Sequence, residues 1–301
     1  MKSLYKPLLL ASLLALPALL ASCEEDEVDT SISVIKDDQT PQNDLDKWLL
    51  KNFVEPYNVQ LRYRWEDNEI DMSYILVPVR YECAIKMANA IKYICFDAFE
   101  EATGSKAFIR QNFPKLIQLV GNPGWSTAHD GTYTLGSAEG GYRIDLWYAN
   151  HIKDVQTSKA ELNSTYFHTI LHEFGHVFHQ KVPYSSEFTQ LTGTSYKGAM
   201  WSSSYSSDLV AQNDGFITPY ASCSADEDFA EVFAGYVFMT QAELESVYFY
   251  AGEGRTTLQA KVRIMKDYFQ TNWGLDVDKL RDAILYREDH LDQCPFDDVT
   301  L

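Results

Sequence analysis

The chain has 301 residues, of which 46% are apolar and 14% aromatic, and its 43 acidic and 25 basic residues give a net charge of −18. The apolar content excludes an intrinsically disordered chain, and 15 glycines with 10 prolines exclude a fibrous or linker protein. The acidic excess argues against a nucleic-acid partner, because phosphate neutralisation requires basic side chains. The length suits one large domain or two small ones.

The first 22 residues have the pattern of a secretory signal peptide. Lys2 and Lys6 precede an apolar run over residues 8–20, which is shorter than the roughly 20 residues that a transmembrane helix needs. The run ends in Leu-Ala-Ser-Cys at residues 20–23, and small residues before a cleavage point are typical of such signals. This ending resembles the lipobox of bacterial lipoproteins, which implies that Cys23 is acylated and becomes the mature N-terminus. An ordinary signal peptide is the alternative.

An acidic tether is predicted over residues 23–42. Residues 24–29 are acidic except for Val28, and few large apolar groups follow, so the stretch is expected to be solvated. The acidic run resembles the surface-export signal of some Gram-negative lipoproteins, although a plain tether would have the same composition. We therefore expect an exported protein with a lipid anchor in the outer membrane, exposed at the cell surface, and a folded domain over residues 43–301.

Helices and short strands alternate in the first half of this domain. The predicted elements are a short helix capped by Asn43 or Asp44, a strand over 59–65, a helix from Pro78 to Ala102 that stops at Gly104, a strand over 115–120, and a hairpin of 132–135 with 142–148. Cys83 and Cys95 lie about 18 Å apart along the long helix and cannot pair while it is intact.

The second half is predicted to be mostly helical. Helices are expected over about 161–181, 224–239, 241–250, 255–272 and 276–288. Strands followed by helices favour an α+β fold of two lobes, 43–181 with a small mixed sheet and 182–301 mainly helical. The Ser-, Tyr- and Gly-rich stretch 183–215 is expected to be a loop that forms a wall of the cleft between the lobes, because loops of this length are usually functional.

Residues 172–176 read His-Glu-Phe-Gly-His, which is an HExxH sequence. On a helix, His172 and His176 are one turn apart and can both point at one metal ion. Glu173 is rotated about 100° from His172 and can reach a metal-bound water without being a ligand. An apolar stripe lies on a different side of the same segment and predicts a buried helix face. The pattern predicts a zinc site, and a surface helix with incidental histidines is the alternative.

Two more histidines, His168 and His179, extend the histidine stripe. His179 lies about 10 Å along the helix axis from His172, too far for a common metal ion. The extended metzincin pattern would need glycine at position 179 and histidine at 182, where the chain has His179 and Val182. We interpret His168 and His179 as residues that support the ligands or are partly exposed.

A third metal ligand is expected from the acidic helix that follows. Glu227 and Glu231 are one turn apart on one face, so one can bind the metal while the other orients a ligand histidine. Ser224 and Glu227 also have the spacing of a capping box, in which Glu227 would hold the helix start. Asp226 and Asp228 are interpreted as first-turn acids that suit the helix dipole.

The HEFGH sequence, followed some fifty residues later by EDFAE at 227–231, resembles the gluzincin metallopeptidases. The similarity is greatest to the zinc-binding metallo-peptidase family of bacterial lipoproteins, and there is local similarity to the catalytic domain of anthrax lethal factor. The resemblance spans most of residues 43–290 and is motif-specific at 168–180 and 217–238.

This resemblance implies a zincin-like fold with Zn²⁺ as cofactor. It assigns His172, His176 and Glu227 as ligands and Glu173 as the general base for a zinc-activated water. In zincins an edge strand before the metal helix pairs with extended substrate, which implies that role for residues 142–148.

The resemblance also gives roles to two further residues. Glu231 matches the acid that supports the first ligand histidine. Tyr220, seven residues before Glu227, matches a tyrosine that stabilises the tetrahedral oxyanion, although any one of 19 tyrosines can simply pack.

The expected function is therefore that of a lipid-anchored zinc metalloendopeptidase acting on peptide or protein substrates. The main alternative is a non-catalytic surface lipoprotein that binds a glycan or a protein and keeps a vestigial or structural zinc site. Glu173 argues against this alternative, because a structural zinc site needs no base. A metal-dependent hydrolase of a non-peptide amide is a third possibility.

Overall fold

The computed structural model describes residues 42–66, 73–126, 133–134, 136–139, 141–247 and 252–301. The predicted signal peptide, Cys23 and all but the last residue of the predicted tether lie outside these ranges. Gln42–Leu301 form one structural unit, and the division into lobes after residue 181 stays a prediction. Within the described ranges no helix is long and apolar enough to cross a membrane.

The first helix, α1, joins Asp44–Leu49, the π-helical Leu50–Val54 and Glu55–Tyr57. Asn43 caps it as expected: its side chain accepts a hydrogen bond from the Asp46 amide at 3.0 Å, and its own amide donates to the Asp46 carboxylate at 2.8 Å. This reciprocal pair is a capping box, which satisfies two amides that a helix start would otherwise leave unpaired.

The long helix α2 joins Tyr81–Ala90, the π-helical Ile91–Phe96 and Asp97–Thr103. It stops at Gly104 (φ +70°) as predicted, but it begins three residues after Pro78. The Asn150 side chain accepts from the Arg80 amide at 2.7 Å and donates to the Pro78 carbonyl at 3.2 Å. These bonds satisfy the backbone groups of the segment before α2 without helical hydrogen bonds, so the predicted start is wrong. Ala107–Asn112 form α3.

Seven short strands are described: β1 (Gln60–Arg62), β2 (Tyr74–Ile75), β3 (Leu116–Leu119), β4 (Gly124–Ser126), β5 (Tyr133–Thr134), β6 (Gly136–Glu139) and β7 (Arg143–Leu146). One sheet has the order β1-β3-β7-β6, with parallel pairing except between β6 and β7. The other is antiparallel, with the order β2-β4-β5. These sheets and the helices that follow confirm the α+β prediction.

The hairpin prediction is correct in its second strand and wrong in its first strand. β6 pairs with β7, with Glu139 opposite Arg143, whereas β5 pairs with β4 in the other sheet. Residues 132 and 135 lie outside the described residues. The expectation that residues 142–148 form an edge strand is also wrong, because β7 is hydrogen-bonded to β3 on one side and to β6 on the other. The edge strands of this sheet, as described, are β1 and β6.

The remainder of the chain is mostly helical, as predicted. Its α-helices are α4 (Ile152–Val155), α5 (Lys159–Leu162, the π-helical Asn163–Phe167 and His168–Lys181), α6 (Ser186–Thr192), α7 (Trp201–Ser204), α8 (Asp208–Asn213), α9 (Ala225–Phe238), α10 (Gln241–Val247), α11 (Arg255–Trp273) and α12 (Val277–Asp289). The stretch 183–215 is thus not a plain loop, because it contains α6, α7 and α8.

Helix α5 packs directly against α9, and this contact positions the functional side chains. The apolar stripe of α5 (Phe167, Leu171, Phe174 and Phe178) is fully buried. A Cβ atom on Gly175 would lie 3.2 Å from the Cα of Ala230, closer than ordinary van der Waals contact, so glycine allows this approach without a shift of either helix. The histidine stripe of α5 therefore faces the glutamates of α9.

Asp226 and Asp228 lie in the first turn of α9, as interpreted, and Asp228 has a further set of contacts there. Its carboxylate is fully buried and forms an ion pair with the fully buried Lys261 of α11. The hydroxyl of Tyr196 donates to the same carboxylate at 2.9 Å, and Lys261 also donates to the Gly215 carbonyl at 2.8 Å. This cluster joins α9, α11 and the segment before α9. Cys83, Cys95, Cys223 and Cys294 are free thiols.

Candidate metal centre

Three donor atoms converge where α5 meets the first turn of α9. The Nε2 atom of His172 lies 3.0 Å from Oε2 of Glu227 and 3.0 Å from Nε2 of His176, and the His176–Glu227 pair is separated by 3.3 Å. The structure thus brings together the three residues that the sequence nominated as ligands. The Glu227 amide also donates a hydrogen bond to the Ser224 hydroxyl oxygen at 3.3 Å, so the Glu227 backbone forms the helix cap while its carboxylate faces the histidines.

These distances fit a tetrahedral zinc ion. With ligand bonds of about 2.0–2.1 Å, a tetrahedral ion separates its donor atoms by about 3.3 Å. Two imidazoles and one carboxylate also form the donor set of catalytic zinc sites, which keep a fourth position open. The residues present therefore fit zinc in both geometry and chemistry.

Glu231 lies one turn further along α9 and is hydrogen-bonded to three side chains. Its Oε1 atom is 2.8 Å from Nδ1 of His172 and 2.7 Å from Nε2 of His168, and Oε2 accepts from the Thr218 hydroxyl at 2.7 Å. Burial would raise the pKa of Glu231, but its contacts with His168 and His172 outweigh burial and hold the pKa well below its usual range. Glu231 is therefore an ionised acceptor that fixes the tautomer and orientation of His172.

His168, His172 and Glu231 could in principle form a second metal-binding group. The hydrogen bonds on Glu231 argue for the supporting role, because both carboxylate oxygens already have protein donors. Sequence reasoning missed Thr218, since nothing in its neighbourhood marks it as part of a site.

His179 contacts the second ligand. Its Nε2 atom lies 2.7 Å from Nδ1 of His176, and its side chain is only 8% exposed. Its other nitrogen, Nδ1, lies 3.9 Å from Oδ1 of Asp226. His179 therefore contacts Nδ1 of His176 in the same way that Glu231 contacts Nδ1 of His172, but with an imidazole instead of a carboxylate.

Glu173 lines the same cavity as the three donors but does not belong to the group that could hold a metal. Burial raises its pKa, the neighbouring His172 and His176 partly oppose this rise, and the charge of Glu227 adds to it. A carboxylate with a raised pKa suits a group that must both accept and release a proton near neutral pH.

Tyr220 is in the 3₁₀ turn Tyr220–Ser222, just before α9. Its ring centroid lies 5.7 Å from that of His172, and the Trp201 ring packs edge-on against it at 4.9 Å. Burial, the charge of Glu227 and a hydrogen bond to Glu227 raise the pKa of Tyr220 above its usual range. The phenol therefore keeps its proton at neutral pH and is available as a hydrogen-bond donor.

The donors open into a cavity of about 790 Å³. Its wall includes the β6–β7 turn at Gly141, the exposed side of α5, Tyr220 and the start of α9. From the stretch 183–215 that was expected to form a wall, residues between Pro183 and Thr189 line the cavity.

Residues 37–278 match the sequence model of the family described as "Putative zinc-binding metallo-peptidase". The chain belongs to this family. A crystal structure of a "putative zinc-binding metallo-peptidase" from Bacteroides caccae ATCC 43185 is similar to this member, with a TM-score of 0.73 and 32% sequence identity over 89% of this chain and 100% of that one. No significant match was found among curated proteins. The family predicted from the two motifs is confirmed, whereas the gluzincin type and the similarity to anthrax lethal factor stay predictions.

Replacing His179 with phenylalanine is expected to weaken zinc affinity about 10–100-fold, the usual effect of losing a group that orients a ligand. Phenylalanine retains a ring between Tyr184 and Phe229, which contact the His179 ring edge-on, but it offers no nitrogen to His176. Competition with a chelator of known affinity measures the effect. His179→Gln, which retains hydrogen-bonding atoms, is the matched control and should lose less affinity; equal zinc binding by the phenylalanine variant and wild type would contradict the assignment.

Proposed function

We propose that this protein is a zinc-dependent endopeptidase of the gluzincin type. The observation that carries the proposal is the convergence of His172, His176 and Glu227 at 3.0–3.3 Å with Glu173 beside them and outside the donor set. A structural zinc site has no use for this fourth residue, whereas hydrolysis needs a base next to an open metal position.

Zinc, when bound, supplies a Lewis acid that lowers the pKa of water and polarises a carbonyl group. Glu173 removes a proton from the attacking water and delivers it to the departing amine nitrogen. The cavity places the carboxylate beside the ligands, and its raised pKa supports the second half of this transfer. Glu231 and His179 hold the two ligand imidazoles in single orientations throughout.

Tyr220 is proposed to donate its phenolic proton in a hydrogen bond to the oxyanion that forms on the peptide carbonyl. Tyr220→Phe is expected to lower kcat about 10²–10³-fold, as the loss of one oxyanion donor does in other hydrolases, while zinc content stays unchanged. Steady-state kinetics with a cleaved peptide, together with metal analysis, measure this.

Tyr286→Phe is the control, because Tyr286 is 54% exposed on α12 and does not line the cavity. An unchanged kcat in the Tyr220 variant would assign this tyrosine to packing against Trp201 alone.

We further propose that the peptidase is exported and anchored through a lipid on Cys23 in the bacterial outer membrane, exposed to substrates outside the cell. The support is the sequence Leu-Ala-Ser-Cys after the apolar run and the acidic residues that follow it. Metabolic labelling with a fatty-acid analogue tests this, and Cys23→Ser should abolish the label.

The test of the catalytic proposal uses residues 42–301, which form one structural unit. Zinc content is measured, and a peptide library is digested before and after removal of the metal by a chelator. We expect about one zinc ion per chain, cleavage that stops on chelation, and recovery when zinc is restored. Zinc binding without cleavage of any peptide or protein would instead favour the alternative of a binding lipoprotein with a vestigial site.

A further inference from the structure

The cavity extends beyond the metal ligands to a wall that includes Tyr184, Ser186, Thr189 and Asp226. The Asp226 side chain is 62% exposed and precedes the ligand Glu227 directly. If the carbonyl group of the scissile bond lay at the metal ligands, the neighbouring substrate residue would lie close to this carboxylate. The extension therefore bears on which substrates the site accepts.

The carboxylate of Asp226 is held in place from one side. Its Oδ1 atom accepts a hydrogen bond from the Tyr184 hydroxyl at 2.7 Å. The Tyr184 ring is itself fixed, because it stacks on the buried Phe229 with ring centroids 4.5 Å apart and planes within 8°. Asp226 is thus a positioned negative group and not a freely rotating surface acid.

The charges around the cavity are unbalanced. Its described lining contains the carboxylates of Glu173, Asp226 and Glu227, and no lysine or arginine is among those lining residues. A zinc ion carries two positive charges, which formally offset the negative charges of Glu173 and Glu227. Asp226 remains as an excess negative charge at the wall of a cavity that admits peptide side chains.

We propose that Asp226 selects peptides that carry a lysine or arginine side chain close to the scissile bond. A cationic group there gains a charge-assisted hydrogen bond, whereas an acidic group would meet like charge with no lysine or arginine among the described lining residues to offset it. A volume of about 790 Å³ is within the range of sites that enclose ligands. The inference rests on the proposed peptidase function and specifies its substrate class.

The test compares peptides that are identical except for lysine, glutamine or glutamate at one position, scanned across the cleavage site. For wild type we expect kcat/KM to favour lysine over glutamine about 10-fold or more at one position, in line with the strength of hydrogen bonds to charged groups, and glutamate to be the poorest. Asp226→Asn should reduce the lysine preference, which is the ratio of kcat/KM for the lysine peptide to that for the glutamine peptide, to about 2-fold or less. Asparagine keeps an oxygen that can accept from Tyr184, so the wall retains its shape.

Asp44→Asn is the matched control: Asp44 is 78% exposed in the first turn of α1, does not line the cavity, and its replacement removes the same charge. Peptide binding to the zinc-loaded Glu173→Gln variant, with and without Asp226→Asn, is measured by calorimetry as a second readout. Zinc content and circular dichroism verify that each variant is folded and loaded.

The two failures are distinguishable. If wild type cleaves none of the peptides, the peptidase function fails, and the binding measurement alone decides whether Asp226 favours the basic side chain. If wild type cleaves the lysine and glutamine peptides equally at every position, or Asp226→Asn retains the full preference, the role of Asp226 is overturned while the peptidase function stands.

Discussion

Replacing Glu173 with glutamine is expected to lower kcat for peptide cleavage about 10²–10⁴-fold, the usual contribution of a general base. Glutamine has nearly the same shape but cannot take a proton from water. Because Glu173 lies outside the donor set of His172, His176 and Glu227, the variant should bind zinc with wild-type stoichiometry. Single-turnover kinetics with a peptide substrate, together with metal analysis of the same sample, measure both quantities.

Glu187→Gln is the control for this variant. Glu187 is an exposed residue in the first turn of α6, beside the cavity wall but not among its lining residues, and its replacement makes the same chemical change. We expect full activity from it. If Glu173→Gln cleaves as fast as wild type, the proposed mechanism is wrong, and the cleavage has another base or comes from a contaminating protease.

Replacing Glu227 with alanine is expected to abolish stoichiometric zinc binding, whereas Glu231→Ala should weaken it about 10–100-fold. Glu227 supplies one of the three donor atoms, and its loss leaves two imidazoles. Glu231 acts through His172, so its loss frees a ligand to rotate without removing it. Zinc titration in competition with a chelator separates the two results, and the opposite ranking would show that the ligand and the supporting glutamate are exchanged.

The Glu231→Ala variant is also expected to have a lower free energy of unfolding. Glu231 is 4% exposed and bonds His168, His172 and Thr218, so its removal leaves buried polar groups unpaired, at about 1–3 kcal/mol per group. Thermal unfolding with zinc present and absent distinguishes this loss of stability from a loss of metal affinity. Glu231→Gln keeps one acceptor oxygen and should lie between alanine and wild type in both measurements.

Protons should compete with the metal at this centre. Burial would lower the pKa of His172, but its hydrogen bonds to Glu227 and Glu231 outweigh burial and raise the pKa to about 10. A ligand imidazole must lose the proton on Nε2 before this nitrogen can bind zinc. The same glutamates that attract the metal therefore favour the competing proton, and zinc binding should release protons and weaken as pH falls.

The part of the site that the sequence predicted well is local. His172, Glu173 and His176 are placed by the 3.6-residue period of one helix, so their relative positions follow from spacing alone. The cap at Asn43 and the stop at Gly104 are local as well, since each depends on the backbone of a few neighbouring residues. Even so, the start of α2 was misplaced, because the Asn150 side chain, 72 residues beyond Pro78, bonds the segment before the helix.

Other features depend on which elements become neighbours. The sequence position of Asp228 indicates a first-turn acid, but only the fold places Lys261, 33 residues away, against it. The strand β7 looked available for substrate until β6 covered its outer side. Thr218, His168 and His179 acquire their roles only from the groups beside them. Such contacts join residues far apart in sequence, and no periodic pattern records them.

By itself, the sequence determined the spacing of a metal motif on one helix, and its acidic excess argued against a nucleic-acid partner. Tertiary structure decided what spacing could not. Helix spacing alone left open whether Glu227 or Glu231 meets the metal, because both lie on one face of α9, and only the family resemblance assigned this role to Glu227. Helix α5 approaches α9 closely at Gly175. In this packing Glu227 lies at the Nε2 atoms of His172 and His176, whereas Glu231 lies at the Nδ1 atom of His172.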